Sequence, residues 1–158
     1  MLSSAGASLN GVLTVISDSF SSRTYYDAIT DGPSVVLLAD NNIRLNLIRF
    51  NKDGLDRSFG QLGYADTSIA APVPKYPHQD AQIRSSYDRF VVASTIGGPN
   101  AATEIAVLNR QGKLSTEFGT NGKVRLDPTN FNDNLADVLP LRDGSILVAL
   151  SSRGNQGE

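Results

Sequence analysis

Seven side chains are of a type, and in a setting, that could contact a ligand: Tyr25, Tyr26, Tyr76, His78, Asn100, Asn132 and Asp133. His78 lies in Pro72-Val73-Pro74-Lys75-Tyr76-Pro77-His78-Gln79-Asp80, where an imidazole near a carboxylate could serve as a general base or a metal ligand. The prolines favour an extended, exposed segment and no nucleophile motif stands nearby, so His78 reads as a surface histidine. The three tyrosines carry amphipathic rings that could stack on a sugar or a partner side chain, or pack half-buried under loops. Asn130, Asn132, Asp133 and Asn134 gather oxygens that could hold a cation, although Asn and Asp are also ordinary turn formers. Asn51-Lys52-Asp53-Gly54-Leu55-Asp56 alternates oxygen donors around a glycine, faintly as calcium loops do. Its counterpart, Asn109-Arg110-Gln111-Gly112-Lys113-Leu114, has no carboxylate and no bidentate Glu follows at the required distance, so a hairpin turn is expected. No catalytic residue, metal ligand set or cofactor is assigned.

Composition narrows the function classes. The chain has 158 residues, 40% hydrophobic and 19% charged, which suits a single globular domain, 1–158. A formal net charge of −2 argues against nucleic acid, whose phosphates require a clustered positive surplus. No apolar run approaches the 18 residues of a membrane-spanning helix, so no membrane partner is expected. Cysteine is absent and histidine occurs once, which removes disulfides, thiolate zinc sites and multi-histidine metal sites. No G-x-S-x-G elbow or phosphate-binding glycine loop is present, and the expectation is a protein that is not an enzyme. The first basic residue is Arg23 and the apolar run Val12 to Ile16 is broken by Thr14, so no secretory signal is read. The compartment stays open between cytoplasm and export within a longer protein.

These candidate residues must be positioned by a repeat. Leu47-Ile48-Arg49-Phe50-Asn51-Lys52-Asp53-Gly54 matches Ala106-Val107-Leu108-Asn109-Arg110-Gln111-Gly112, and each is followed by Phe-Gly-x-x-Gly at Phe59–Gly63 and Phe118–Gly122. Val35–Ala39, Phe90–Ala93 and Ile146–Ala149 recur at spacings of 55 and 56, and Asn10-Gly11-Val12-Leu13 matches Asn121-Gly122-Lys123-Val124. The apolar runs are short, rich in Val, Ile and Leu, and bounded by Gly, Asn, Asp and Pro, which predicts strands. Asp-Gly and Asn-Gly steps are strong hairpin signals. A unit therefore reads as four strands, A to D, and repeated four-stranded units predict an all-β, β-propeller-like array.

The block Ile105–Val124, together with Arg142-Asp143-Gly144-Ser145-Ile146-Leu147-Val148-Ala149, resembles the bacterial delta-60 repeat. The resemblance covers about residues 27–154. Leu62 departs from it where Asn or Gly is usual, and Tyr87-Asp88-Arg89 lacks the glycine of the A–B turn. It implies a propeller-like repeat of bacterial proteins, often large and exported, and implies no defined activity.

The chain is out of phase with its repeat: a D-like piece at 9–20, full units at 27–79 and 80–133, and an A–B half at 134–158. Three arrangements meet that phase. Two chains could close a ring head to tail as a homodimer, the sequence could belong to a longer propeller, or three repeats could close as a β-trefoil-like barrel. In each unit the A–B and C–D turns share one end and the B–C and D–A loops the other. Ala39 to Phe50 spans 11 residues where Ala93 to Leu108 spans 15, and Phe59 to Ala81 spans 22 where Phe118 to Ala136 spans 18. Both insertions fall at the B–C and D–A end, where binding surfaces of repeat proteins often lie. The expected function is a binding or scaffolding module with a protein or carbohydrate ligand, the alternative a small lectin-like protein.

Overall fold

Two segments, Ser34–Asp40 and Arg89–Ile96, are apolar at consecutive rather than alternate positions, a pattern that fits strands covered on both faces. The computed structural model, which describes residues 7–9, 12–14, 23–72, 81–97, 101–129 and 132–153, supplies both covers for Arg89–Ile96 and one, sheet 2, for Ser34–Asp40. Thirteen strands are present among the described residues. β1 (Ala7–Leu9) and β2 (Val12–Thr14) pair with each other. The first unit contains β3 (Tyr25–Asp31), β4 (Ser34–Asp40), β5 (Arg44–Asn51), the two-residue β6 (Gly54–Leu55) and β7 (Tyr64–Ala70). β8 (Ala81–Ser85), β9 (Arg89–Ile96), β10 (Ala102–Asn109) and β11 (Lys123–Leu126) form the second, and β12 (Asn132–Pro140) with β13 (Ile146–Arg153) the third.

Each unit is an antiparallel meander. Sheet 1 runs β3-β4-β5-β7, with β6 hairpinned onto the end of β5; sheet 2 runs β8-β9-β10-β11; sheet 3 is the pair β12-β13. Registers repeat between units. Val35 stands opposite Phe50 and Phe90 opposite Leu108, both apolar residues lying at the close of strand C. No sheet closes into a barrel among the described residues, which sets the β-trefoil-like alternative aside.

The core is divided between the sheets. Val36, Leu38, Leu45, Leu47, Phe59 and Ile69 of sheet 1 meet Ile83, Phe90, Val92 and Leu108 of sheet 2. The opposite face of sheet 2, with Val91, Ala93, Ile105 and Val107, packs on Leu135 and Val138 of sheet 3. Burying both faces of the central strands explains their unbroken apolar runs. Phe59 and Phe90 meet edge to face at 6.0 Å, with the Arg49 guanidinium 4.6 Å from the Phe59 ring centre.

The Phe-Gly-x-x-Gly corner has a steric cause. A side chain at Gly60 or Gly119 would place its Cβ 2.1 Å from the carbonyl oxygen of Tyr64 or Lys123, and both glycines have positive φ. The corner closes by one bridge in each unit, Gln61 to Tyr64 and Thr120 to Lys123, and the same register recurs as Leu9 opposite Val12. Leu62 adopts φ 56° where its counterpart Asn121 has 52°, so the departing residue keeps the turn and bears the strain. The glycine-free A–B turn also closes, through Ser86 N–H donating to the Arg89 carbonyl at 3.0 Å.

Strand A begins at Tyr25 in the first unit and at Asn132 in the third. Asn132, Asp133 and Asn134 thus belong to a strand rather than to a polar loop.

Candidate functional site

Strand A is an edge: among the described residues β3 pairs only with β4. Its register slips between Tyr25 and Asp27, a bulge that re-aims both tyrosines. Tyr25, Tyr26, Asp27, Ala28 and Leu37 line an open hollow of about 340 Å³ at this edge. Tyr25 lies opposite Ala39, close to the turn Asn41–Ile43 that joins β4 to β5, so the hollow sits at the B–C and D–A end. Tyr25 is 43% exposed.

Tyr26 is half-buried, and its hydroxyl donates to Asp40 Oδ2 at 2.8 Å. Burial, then the hydrogen bond to Asp40 and that residue's negative charge, raise the phenol well above its ordinary value. Tyr26 is therefore a fixed, protonated hydroxyl at neutral pH. Asp40 is buried and also accepts from Asn42 N–H at 3.0 Å, so this carboxylate is spent on orienting the strand end. Asp27 accepts Ile83 N–H at 3.1 Å and Arg84 Nη1 at 2.9 Å, joining the exposed edge of sheet 1 to that of sheet 2. The hollow joins the exposed Tyr25 to Asp27, whose carboxylate is shared with Ile83 N–H and Arg84. It can hold a ligand by stacking and hydrogen bonding, and it assembles no nucleophile with a base.

The remaining candidates divide. Tyr76, His78 and Asn100 lie outside the described residues, and Asn132 opens β12. Asp133 is fully buried, its carboxylate accepting Thr129 N–H at 3.1 Å and Thr129 Oγ1 at 2.8 Å. Its backbone is tied in as well, N–H to the Ala101 carbonyl at 2.8 Å and C=O to Thr103 Oγ1 at 3.2 Å. That is a staple between units rather than a ligand contact. The carboxylates of the 51–56 turn are likewise engaged, Asp53 by Lys52 at 2.7 Å and Asp56 by Arg49 Nε at 2.8 Å.

The sequence reading missed a charged cluster at the A–B and C–D end. Asp31 receives Arg110 Nη1 at 2.7 Å and Arg49 Nη1 at 3.3 Å, while Arg49 Nη1 also donates to the Arg110 carbonyl at 2.9 Å. Arg110 further donates to the carbonyls of Ser86 and Tyr87, and its guanidinium lies 4.8 Å from the Phe90 ring centre. All three nitrogens of the Arg110 guanidinium, and Nε and Nη1 of Arg49, donate within the fold, so the cluster is a clamp across sheets 1 and 2. Comparison with protein-family models, characterised proteins and solved structures finds no match, and the delta-60 resemblance rests on the residues quoted for it.

Proposed function

We propose that this chain is a non-catalytic binding or scaffolding module, its sheets arranged as blades of a propeller-like array, with contacts made at the B–C and D–A end. The observation that carries the reading is the joining of those loops. Ala71 N–H, after β7, donates to the Ile43 carbonyl at 2.9 Å, and Asp133 N–H donates to the Ala101 carbonyl at 2.8 Å. In each unit these bonds tie the B–C turn to the D–A connection, at the end of the sheets where the Tyr25 hollow opens. At the opposite end the polar groups of the Asp31 clamp are consumed by contacts between sheets. A protein or carbohydrate ligand fits this surface. Repeated sugar pockets are not supported: the position of Tyr26, one residue before the aspartate at the strand-A bulge, is Ala136 in the third unit.

The test is a glycan array and an immobilised peptide library screened with the intact chain, then with Tyr25→Ala and with Lys75–His78 deleted. Retained thermal unfolding with binding lost in either variant supports the reading. Binding indifferent to both changes, or lost only where the variant unfolds, overturns it. Light scattering of the same sample tests the head-to-tail pair, which requires twice the chain mass of 16.8 kDa.

A further inference from the structure

We propose that the outer edge of β13 is a docking site for an extended strand of the repeat's own C type, supplied by a further repeat unit. β13 occupies the position of β4 and β9, as the matched runs Val35–Ala39, Phe90–Ala93 and Ile146–Ala149 establish. β4 is paired on one side with β3 and on the other with β5, and β9 likewise with β8 and β10. Among the described residues β13 pairs with β12 alone. An edge of unpaired N–H and C=O groups is a template for strand addition, and the neighbouring sheets define the register.

Two further observations point to the same occupant. Leu147 stands where Val36 and Val91 are fully buried, yet it is 59% exposed, and its cross-strand partner Leu139 is 51% exposed. In sheet 2 the side chain facing Val91 from strand C is Val107, so an incoming C strand would set an apolar neighbour beside Leu147. The second observation lies at the C–D corner. Phe59 is fully buried because the turn that follows strand C of the next unit closes over it. Gly112 lies against its ring, and Gly60 N–H donates to the Gln111 carbonyl at 2.8 Å. The equivalent Phe118 is only half-buried, and among the described residues Gly119 N–H has no counterpart to that bond. A C strand on β13, followed by its Asn-x-x-Gly turn, supplies both missing parts. The inference rests on the phase of the repeat and is independent of the loop-end reading.

Because the chain has no cysteine, the register can be read directly by cross-linking. The probe is a synthetic peptide of residues 102–114, whose Leu108 should lie opposite Ile146 and whose Val107 opposite Leu147. Leu147→Cys in the protein should form a disulfide with the peptide carrying Val107→Cys at least tenfold faster than with the peptide carrying Ala106→Cys. A shift of one residue turns the side chain to the other face of the sheet. In the unmodified protein, amide exchange at Gly119 and along Ile146–Arg153 should slow at least tenfold with saturating peptide. Equal cross-linking of the two peptides overturns the proposal, as does unchanged exchange at millimolar peptide.

Discussion

Replacing Phe59 by alanine should be far more costly than replacing Phe118, although the two residues occupy the same position in the repeat. Phe59 is fully buried between sheets 1 and 2. It meets Phe90 edge to face at 6.0 Å and 81°, lies under the Arg49 guanidinium, and touches the backbone turn at Gly112. Removing a ring so enclosed costs roughly 3–5 kcal/mol, because the surroundings cannot collapse onto the void. The edge-to-face pair contributes about 0.5–1.5 kcal/mol of that, so the upper half of the range is expected. Phe118 packs against the second core but is only half-covered, so its truncation exposes less cavity and should cost roughly half as much. Urea titrations of the two variants, fitted with a common slope, measure the difference directly. A Phe59→Ala loss below about 1 kcal/mol would refute the account of the sheet interface, and equal losses would refute the link between burial and the neighbouring unit.

Three further outcomes are expected. Leu62→Asn should stabilise the chain by about 1 kcal/mol, since exposed Leu62 sits at φ 56° and gains the residue its counterpart Asn121 supplies; no rise in the urea midpoint would count against strain there. Asp31→Asn should cost roughly 2–3 kcal/mol, less than a fully buried pair because the side chains of Asp31, Arg49 and Arg110 keep 17%, 17% and 27% of their exposure; a loss under about 0.5 kcal/mol at low salt would make the clamp a bystander. Asp56 is held below the usual carboxylate range, chiefly by the Ser58 hydroxyl and backbone N–H and also by Arg49, so its contribution is present above the unfolded value near 4 and is lost as pH falls below it. The stability gap between the unaltered chain and Asp56→Asn should therefore narrow between pH 6 and pH 3, and a constant gap would contradict that assignment.

The repeat was legible because its marks are local. Phe-Gly-x-x-Gly encodes a backbone that leaves no room for a Cβ at Gly60 or Gly119, and runs such as Phe90–Ala93 encode a strand covered on both faces. The site was less legible because its geometry is made between units. Asp27 with Arg84, and Asp31 with Arg110, join residues 57 and 79 positions apart, and no spacing rule announces them. Asp133 shows the opposite failure. Its neighbours Asn132 and Asn134 have the composition of a turn, yet the Thr129 hydroxyl and N–H satisfy the Asp133 carboxylate and allow it to be buried in a strand. The Tyr25 hollow depends on a bulge, which the sequence does not mark.

Burial in this chain varies where the sequence does not. Val36, Val91 and Leu147 are apolar residues at one position of the repeat, and the first two are sealed while the third faces solvent. Phe59 and Phe118 differ in the same sense. The pattern follows stacking order, since each sheet is covered by the unit after it, so the apolar free energy resides in the junctions between sheets. Arg84 reaches both ways, to Asp27 of the unit before at 2.9 Å and to Asp137 of the unit after at 2.9 Å. Asp27 and Asp137 stand at matching bulges, and Asp27 also takes the Ile83 N–H of the following sheet. Exposed Leu139 and Leu147 of the third unit are the apolar side of the junction that the C strand proposed for β13 would complete, and the unit's stability should rise when that strand binds.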